Sequence, residues 1–292
     1  MKKILIILLS ISFAGISLAD FNDGADAAQK GDFKTAFKEW SSLAEQGDAE
    51  AQASLGLLYF YGDGVNQSHK KAIYWYEKSA NQGDSSGQFN LGFMYDRGFG
   101  TSINKKKAIN LYTKSAEQGN ASAQSNLGML YLFDSNFKKA LSWLNKSADQ
   151  DYAEAEHLLG YAYFHGYGVK QSNKKAFKWF TKAAKQGNIL AESMVAYMYD
   201  EGIGVKENNK KAVYWYTRAA EQGDAGSQNN LAEMYVAAEG VSEDPKKVHF
   251  WIKKAAEQGY GKAQHNLGVT YINGYGVDKS YKKAAYWVNL AI

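Results

Sequence analysis

The apolar positions of this chain return in one order, over and over. The stretch from Ala51 to Gly83 reads AQASLGLLYFYGDGVNQSHKKAIYWYEKSANQG. Over Ala51 to Tyr61, Leu55, Leu58 and Tyr59 fall on one stripe with Gly56 beside them, the spacing of an amphipathic helix. Gly62 and Gly64 then stop that helix, because glycine accepts the left-handed backbone of a C-cap. A second helix is predicted to start at Ser68, whose hydroxyl can take an otherwise unpaired backbone N–H.

Each feature of that second helix has counterparts along the chain. The capping column is Asp32, Ser68, Asn104, Asn136, Ser172, Asn208, Asp244 and Ser280, and Pro245 takes the favoured first helical position after Asp244. A small-residue column follows, Ala36, Ala72, Ala108, Ala140, Ala176, Ala212, Val248 and Ala284, which lets two helices approach closely. Four residues on come Trp40, Tyr76, Tyr112, Leu144, Phe180, Tyr216, Ile252 and Val288, with Trp75, Trp143, Trp179, Trp215, Trp251 and Trp287 just before six of them. A Gln-Gly pair closes the unit at Gly47, Gly83, Gly119, Gly187, Gly223 and Gly259, and Gln150-Asp151 replaces it once. The steps between closures are 36, 36, 32, 36, 36 and 36 residues. A fixed period of this size means stacked helix–loop–helix hairpins, none of which buries its apolar face alone.

The predicted organisation is a capping half-repeat over residues 20–47, then an array over 48–292 with repeats at about 48–83, 84–119, 120–151, 152–187, 188–223, 224–259 and 260–292. The four residues missing from 120–151 come out of the inter-helix loop, which spares both helix registers. In 224–259, Ala237-Ala238-Glu239-Gly240 blurs the first loop glycine, so its first helix is expected to run longer. The recurring G-x-G pairs are read as helix caps and not as phosphate cradles.

LG-x-x-Y, G-x-G-V and KA-x-x-WY-x-x-AA-x-QG together resemble the Sel1-like repeat, a relative of the tetratricopeptide repeat with a longer inter-helix loop. The resemblance spans nearly all of residues 20–292. It implies an all-α fold, a right-handed α/α superhelical solenoid. It also implies an adaptor role, as Sel1-like proteins serve in envelope assembly, signalling and host contact by bacteria. The alternative it offers is a cell-wall ligand binder or enzyme, since weak penicillin-binding or β-lactamase activity is attributed to a cysteine-rich branch. This chain has no cysteine, which separates it from that branch.

Residues 1–19, MKKILIILLSISFAGISLA, stand apart from the repeats. Lys2 and Lys3, an apolar run from Ile4 to Phe13, and Ser17-x-Ala19 have the form of a secretory leader cleaved near Ala19-Asp20. The expected destination is the periplasm or the medium, with no membrane insertion after cleavage.

Composition narrows the chemistry. A formal charge of +4, two units of which belong to Lys2 and Lys3, and arginine only at Arg97 and Arg218 argue against nucleic acid. The lysine pairs opening the second helices read as a solvated face. His69, His157, His165, His249 and His265 form no H-E-x-x-H motif, and no P-loop occurs. No catalytic residue, cofactor or metal site is predicted, and His157 is read as a surface contact for a partner.

What remains is a surface. In tetratricopeptide-type solenoids the first helices line the concave face, which by this resemblance carries Phe60, Tyr61, Phe89, Phe93, Met129, Phe133, His157, Tyr161, Phe164 and Tyr197. Aromatic residues and Met are enriched at interfaces, so a protein or peptide partner is expected there. Later repeats turn acidic at Asp200, Glu201 and Glu233. Trp287, Val288 and Leu290 lie on the last helix with no following repeat in the sequence, and self-association is expected through that end.

Overall fold

The computed structural model describes residues 20–291. The expected leader lies outside the described residues. Among these residues there are sixteen α-helices and no strand. They form two compact units, one ending at Gln118 and the other beginning at Gly119. The first unit holds α1 (Phe21–Gln29), α2 (Phe33–Glu45), α3 (Ala49–Tyr61), α4 (His69–Asn81), α5 (Ser85–Arg97) and α6 (Lys105–Glu117). The second holds α7 (Ala121–Phe133), α8 (Phe137–Ala148), α9 (Ala153–His165), α10 (Asn173–Lys185), α11 (Ile189–Asp200), α12 (Asn209–Glu221), α13 (Ala225–Ala237), α14 (Pro245–Glu257), α15 (Gly261–Asn273) and α16 (Tyr281–Leu290). Within each unit every helix packs on the next in the chain. The fold is an all-α solenoid of helical hairpins.

The capping column forms as the sequence predicts. All eight second helices begin with a side chain that accepts a hydrogen bond from the backbone N–H three residues on, as Ser68 does from Lys71 and Asp244 from Lys247. First helices are capped in the same way by Asp48, Asp84, Asn120, Asn188 and Asp224, whereas Tyr152 and Tyr260 provide no side-chain cap.

Six of the eight hairpins close on one contact between a first-helix glycine and a second-helix ring or branched side chain, and Ala196 and Ala232 hold that place in the other two. A β-carbon on Gly56 would stand 2.5 Å from Tyr76 Cε1, and one on Gly128 would stand 2.6 Å from the Leu144 side chain. The alanine column beside this contact is fully buried from Ala36 to Ala212. Small residues on both sides are what let the two backbones meet.

Two features depart from expectation. The G-x-G loops are not purely caps. Gly62 ends α3 with φ of +82°, but Gly64 lies against the backbone of Phe33 at the start of α2, where any side chain would collide. Gly168 meets Phe137 and Gly204 meets Asn173 in the same way. The second glycine therefore seats each loop on the preceding hairpin. Helix α13 is also no longer than its siblings: Ala238 adopts the left-handed conformation, with φ of +55°, that glycine supplies elsewhere.

The closing glutamine has a structural reason. Gln82 Nε2 donates to the Gly47 carbonyl at 2.8 Å and to Gln52 Oε1 at 2.9 Å, tying its hairpin to the preceding one and satisfying a buried amide. Gln118 repeats this with Gly83 and Gln88. In the second unit Gln186 and Gln222 donate to buried carboxylates, Glu156 and Glu192, instead of amides. Those charges are balanced by Lys182 at 2.7 Å and Arg218 at 2.6 Å.

Candidate interaction surface

In the first unit the sequence-derived residues come together. Phe60 and Tyr61 stand on the last turn of α3, and Phe89 and Phe93 on α5. With Leu57, Asn90, Tyr76 and Met94 they line a pocket of about 160 Å³. Its floor is buried, since Tyr76 and Met94 belong to the core, while Tyr61 is 61% exposed at its mouth. The pocket is well below the ~300–1,000 Å³ of small-molecule sites; it suits a single apolar side chain. Phe60 and Phe93 are only half exposed, with ring centroids 6.1 Å apart.

Two further rings complete this wall, and both were missed in the sequence. Phe99 lies 5.4 Å from Phe60 and 5.8 Å from Phe93, and His69 lies 5.2 Å from Phe60 and from Phe99. The signal was available: Phe99 is the middle residue of a G-x-G loop that the chain folds back over the hairpin. Phe93 also carries the Arg97 guanidinium 5.9 Å above its ring.

In the second unit the residues divide. Phe133, at the end of α7, is 80% exposed, and Met129 is half-buried one turn earlier. Tyr161 and His165 on α9 have ring centroids 4.2 Å apart. His165 stacks on Tyr167 at 5.3 Å, and Tyr167 stacks on Phe137 at 5.1 Å with the planes 1° from parallel. Tyr167 is again the middle of a G-x-G loop, so the same motif contributes a ring to both walls. Phe164 turns inward against Phe180 at 6.4 Å, and Tyr197 on α11 is 37% exposed.

His157 is not the surface contact the sequence suggests. It is 9% exposed, its ring 5.7 Å from Phe180 and its Nδ1 4.0 Å from Glu154 Oε1. Burial holds its pKa below the ordinary 6.5, and the nearby Glu154 carboxylate opposes that only in part. The ring is uncharged at neutral pH, which keeps the surrounding wall apolar. Its column alternates between large and small residues, with Ser125 and Ser193 at the matching places in the repeats on either side.

Farther along, Asp200, Glu201, Glu207, Glu233 and Glu239 surround a cavity of about 440 Å³ between α11 and α13. Asp200 accepts a hydrogen bond from the Tyr216 hydroxyl at 3.3 Å, and Tyr216 in turn accepts one from Asn230 at 3.2 Å. Burial raises the Asp200 pKa, the Tyr216 bond lowers it, and the like charges of Glu201, Glu239 and Glu207 add to the rise. Lys262 balances Glu233 at 2.9 Å. No group of three or more His, Cys, Asp or Glu among the described residues is arranged to hold a metal. No helix among them is long and apolar enough to cross a membrane.

At the last hairpin, two of the three residues expected to be uncovered are packed. Trp287 lies against the core of the second unit, and Val288 covers Gly268. Leu290 is 47% exposed.

These hairpins, with their buried alanine column, glycine-to-ring closure and glutamine tie, define an α-helical repeat protein of the kind that serves as a protein-interaction scaffold. The chain belongs to the Sel1 repeat family. The Sel1 repeat model matches residues 49–84, 85–120, 121–152, 153–188, 189–224, 225–260 and 261–292. A protective antigen present in uropathogenic Escherichia coli strains, which displays this repeat fold, is 35% identical with a TM-score of 0.78. That alignment covers 93% of this chain and 60% of the antigen, so the chain spans less than two thirds of that protein. A Sel1 repeat protein from Oxalobacter formigenes is 32% identical with a TM-score of 0.69, over 93% of this chain and 81% of that one. An immunity protein from Pseudomonas aeruginosa shares the fold alone, at 20% identity and a TM-score of 0.52 over 74% of this chain and 81% of that one. No functionally curated protein matches the sequence.

Proposed function

We propose that this chain is an exported, non-enzymatic scaffold that binds a protein or peptide partner through the face of its first helices. The observation that carries the reading is the pocket between α3 and α5. It has a buried floor, an aromatic wall of Phe60, Phe89 and Phe93, and Tyr61 exposed at the mouth. Binding energy at protein interfaces concentrates in such places, where one apolar side chain of the partner is fully desolvated. The exposed Phe133 and Tyr161 supply a corresponding surface in the second unit. Export to the periplasm or medium rests on the leader-like residues 1–19, and a role in envelope assembly, signalling or host contact follows the pattern of the family.

The test is affinity capture from the envelope fraction of the source cell, with wild-type protein beside Tyr61→Lys/Phe133→Lys. Both side chains are exposed, so the melting temperature should stay within a few degrees. A specific partner retained by the wild type and lost from the double variant supports the reading. A partner held equally by both places binding off the first-helix face.

A further inference from the structure

Helix α10 carries lysine at two positions where most of the other second helices do not, and both make it basic. In α4, α12, α14 and α16 the residue before the tryptophan is aromatic and lies edge-on to it. The centroid distances are 5.0 Å for Tyr74–Trp75, 5.1 Å for Tyr214–Trp215, 4.8 Å for Phe250–Trp251 and 5.2 Å for Tyr286–Trp287. In α10 that residue is Lys178, as it is Ser142 before Trp143 in α8, so no such ring covers the edge of Trp179, and Lys182 lies over its face at 5.7 Å. The residue before the closing glutamine is Glu45, Asn81, Glu117, Asp149, Glu221 or Glu257 in the other copies, and here it is Lys185. The helix thus bears Lys174, Lys175, Lys178, Lys182 and Lys185 and no carboxylate. Lys182 is committed to the fold through Asp151 and Glu156, each at 2.7 Å, and Lys175 lies over the Tyr163 ring at 5.1 Å. Lys174, Lys178 and Lys185 are exposed and have no ion-pair partner among the described residues.

A cavity of about 910 Å³ lies along α10. Phe177 and Trp179 contribute its apolar surface, and Val205, from the loop that seats on α10, contributes another part. Lys174 and Lys178 are one helical turn apart and share a face, with about 6 Å of rise between them. An extended chain presents alternate side chains on one side at about 6.6 Å. A strand with carboxylates at alternate positions therefore matches the two free ammonium groups, while its intervening side chains turn to the opposite side, where Val205 from the seated loop lines the same cavity. No arginine lines the cavity, and arginine is the residue suited to bidentate phosphate contacts.

We propose that this groove binds an extended acidic segment of a partner protein, in which carboxylates alternate with apolar residues. The carboxylates pair with Lys174 and Lys178, Lys185 continues the basic edge, and the apolar side chains, on the other side of the strand, pack against Val205. This surface lies on a second helix, so it is separate from the first-helix pocket and stands or falls independently of it.

The probe is a fluorescein-labelled peptide of alternating Glu and Leu, titrated with the purified protein and followed by anisotropy in about 0.1 M salt, where pairing across a contact survives screening. Saturable binding is expected. It should weaken at least tenfold in Lys174→Glu/Lys178→Glu, more modestly in Lys174→Gln/Lys178→Gln, and not at all in Lys70→Glu/Lys71→Glu on α4. A Glu-Ser peptide of equal charge should bind more weakly, because it leaves Val205 uncovered. Circular dichroism of each variant should match the wild type, and the glutamine pair decides the matter if the glutamate pair misfolds. The proposal is overturned by absence of saturable binding, by equal loss in the α4 control, or by equal affinity for the Glu-Ser peptide. Preferential binding to phosphatidylglycerol vesicles with no binding of the peptide would also overturn it.

Discussion

Gly160 on α9 and Phe180 on α10 meet so closely that a β-carbon on the glycine would stand 2.6 Å from Phe180 Cδ1. The ring is fully buried and has no room to withdraw. Gly160→Ala gains helix propensity but overpacks the hairpin, and overpacking costs about 1–3 kcal/mol. Net destabilisation is expected, read as a lower urea midpoint with unchanged slope. Two repeats already carry alanine at this place, Ala196 and Ala232. Ala196→Gly should lose about 1 kcal/mol through propensity alone. A neutral Gly160→Ala would show that the hairpin separation is not set by this contact.

Ala238 holds a left-handed backbone with φ of +55°, where Gly62, Gly98, Gly166 and Gly274 stand in other copies. The left-handed region costs an L-residue about 1–2 kcal/mol. Ala238→Gly should therefore stabilise the protein by up to about 1 kcal/mol, less what the extra freedom of glycine costs the folded state. The melting temperature should rise. An unchanged or lower value would mean that the Ala238 side chain contributes packing that outweighs the strain.

Arg218 reaches the fully buried Glu192 carboxylate at 2.6 Å, and Gln222 donates to the same group at 2.7 Å. Removing the guanidinium leaves a buried charge with only an amide donor. Breaking a buried pair costs about 3–5 kcal/mol, and the partial exposure of Arg218 places this one at the lower end or below. Glu192→Gln should rescue Arg218→Met, because Gln52, Gln88, Gln124, Gln228 and Gln264 fill that place in other repeats. A double variant no more stable than Arg218→Met would separate the loss from the buried charge. Chemical denaturation of the two variants and the wild type decides it.

The hairpins were legible because their determinants are local and repeated: a capping side chain, an alanine, a ring and a closing glycine at constant offsets. The pocket at Phe60 and Phe93 was legible for a related reason, since Leu57 and Phe93 stand one period apart on neighbouring first helices and Phe60 lies one turn on from Leu57. The rings of Phe99 and Tyr167 were not, because a loop residue's direction depends on where the loop lands. That landing is set by a contact the period does not encode, the approach of Gly100 to His69 or of Gly168 to Phe137. The groove on α10 was hidden for a different reason. Its lysines look like the solvated face of every second helix until Lys178 is seen in place of a ring that in α4, α12, α14 and α16 lies against the tryptophan.

His157 gives the fold a dependence on pH whose sign can be worked out. Burial against Phe180 keeps the imidazole neutral and its pKa below 6.5, while Glu154 pulls in the other direction with smaller effect. The unfolded chain therefore takes up this proton first as the pH falls. The contribution to stability is complete above 6.5 and is lost as acidification carries the pH down through the folded-state pKa. Each unit of pKa difference is worth about 1.4 kcal/mol at most. His249 contributes with the same sign, its pKa lowered by burial and by Lys253 and Lys283. It persists when His157 is changed, so the single variant should lose only part of the effect. Asparagine is the replacement of choice, because Asn229 already occupies this column on α13. Wild type should lose more unfolding free energy between about pH 7.5 and about pH 5.5, the interval in which histidine titrates, than His157→Asn does. The difference should vanish above pH 7. Parallel pH profiles for the two proteins would mean that the buried imidazole keeps an ordinary pKa, and that the wall around Tyr161 and Met129 stays apolar for some other reason.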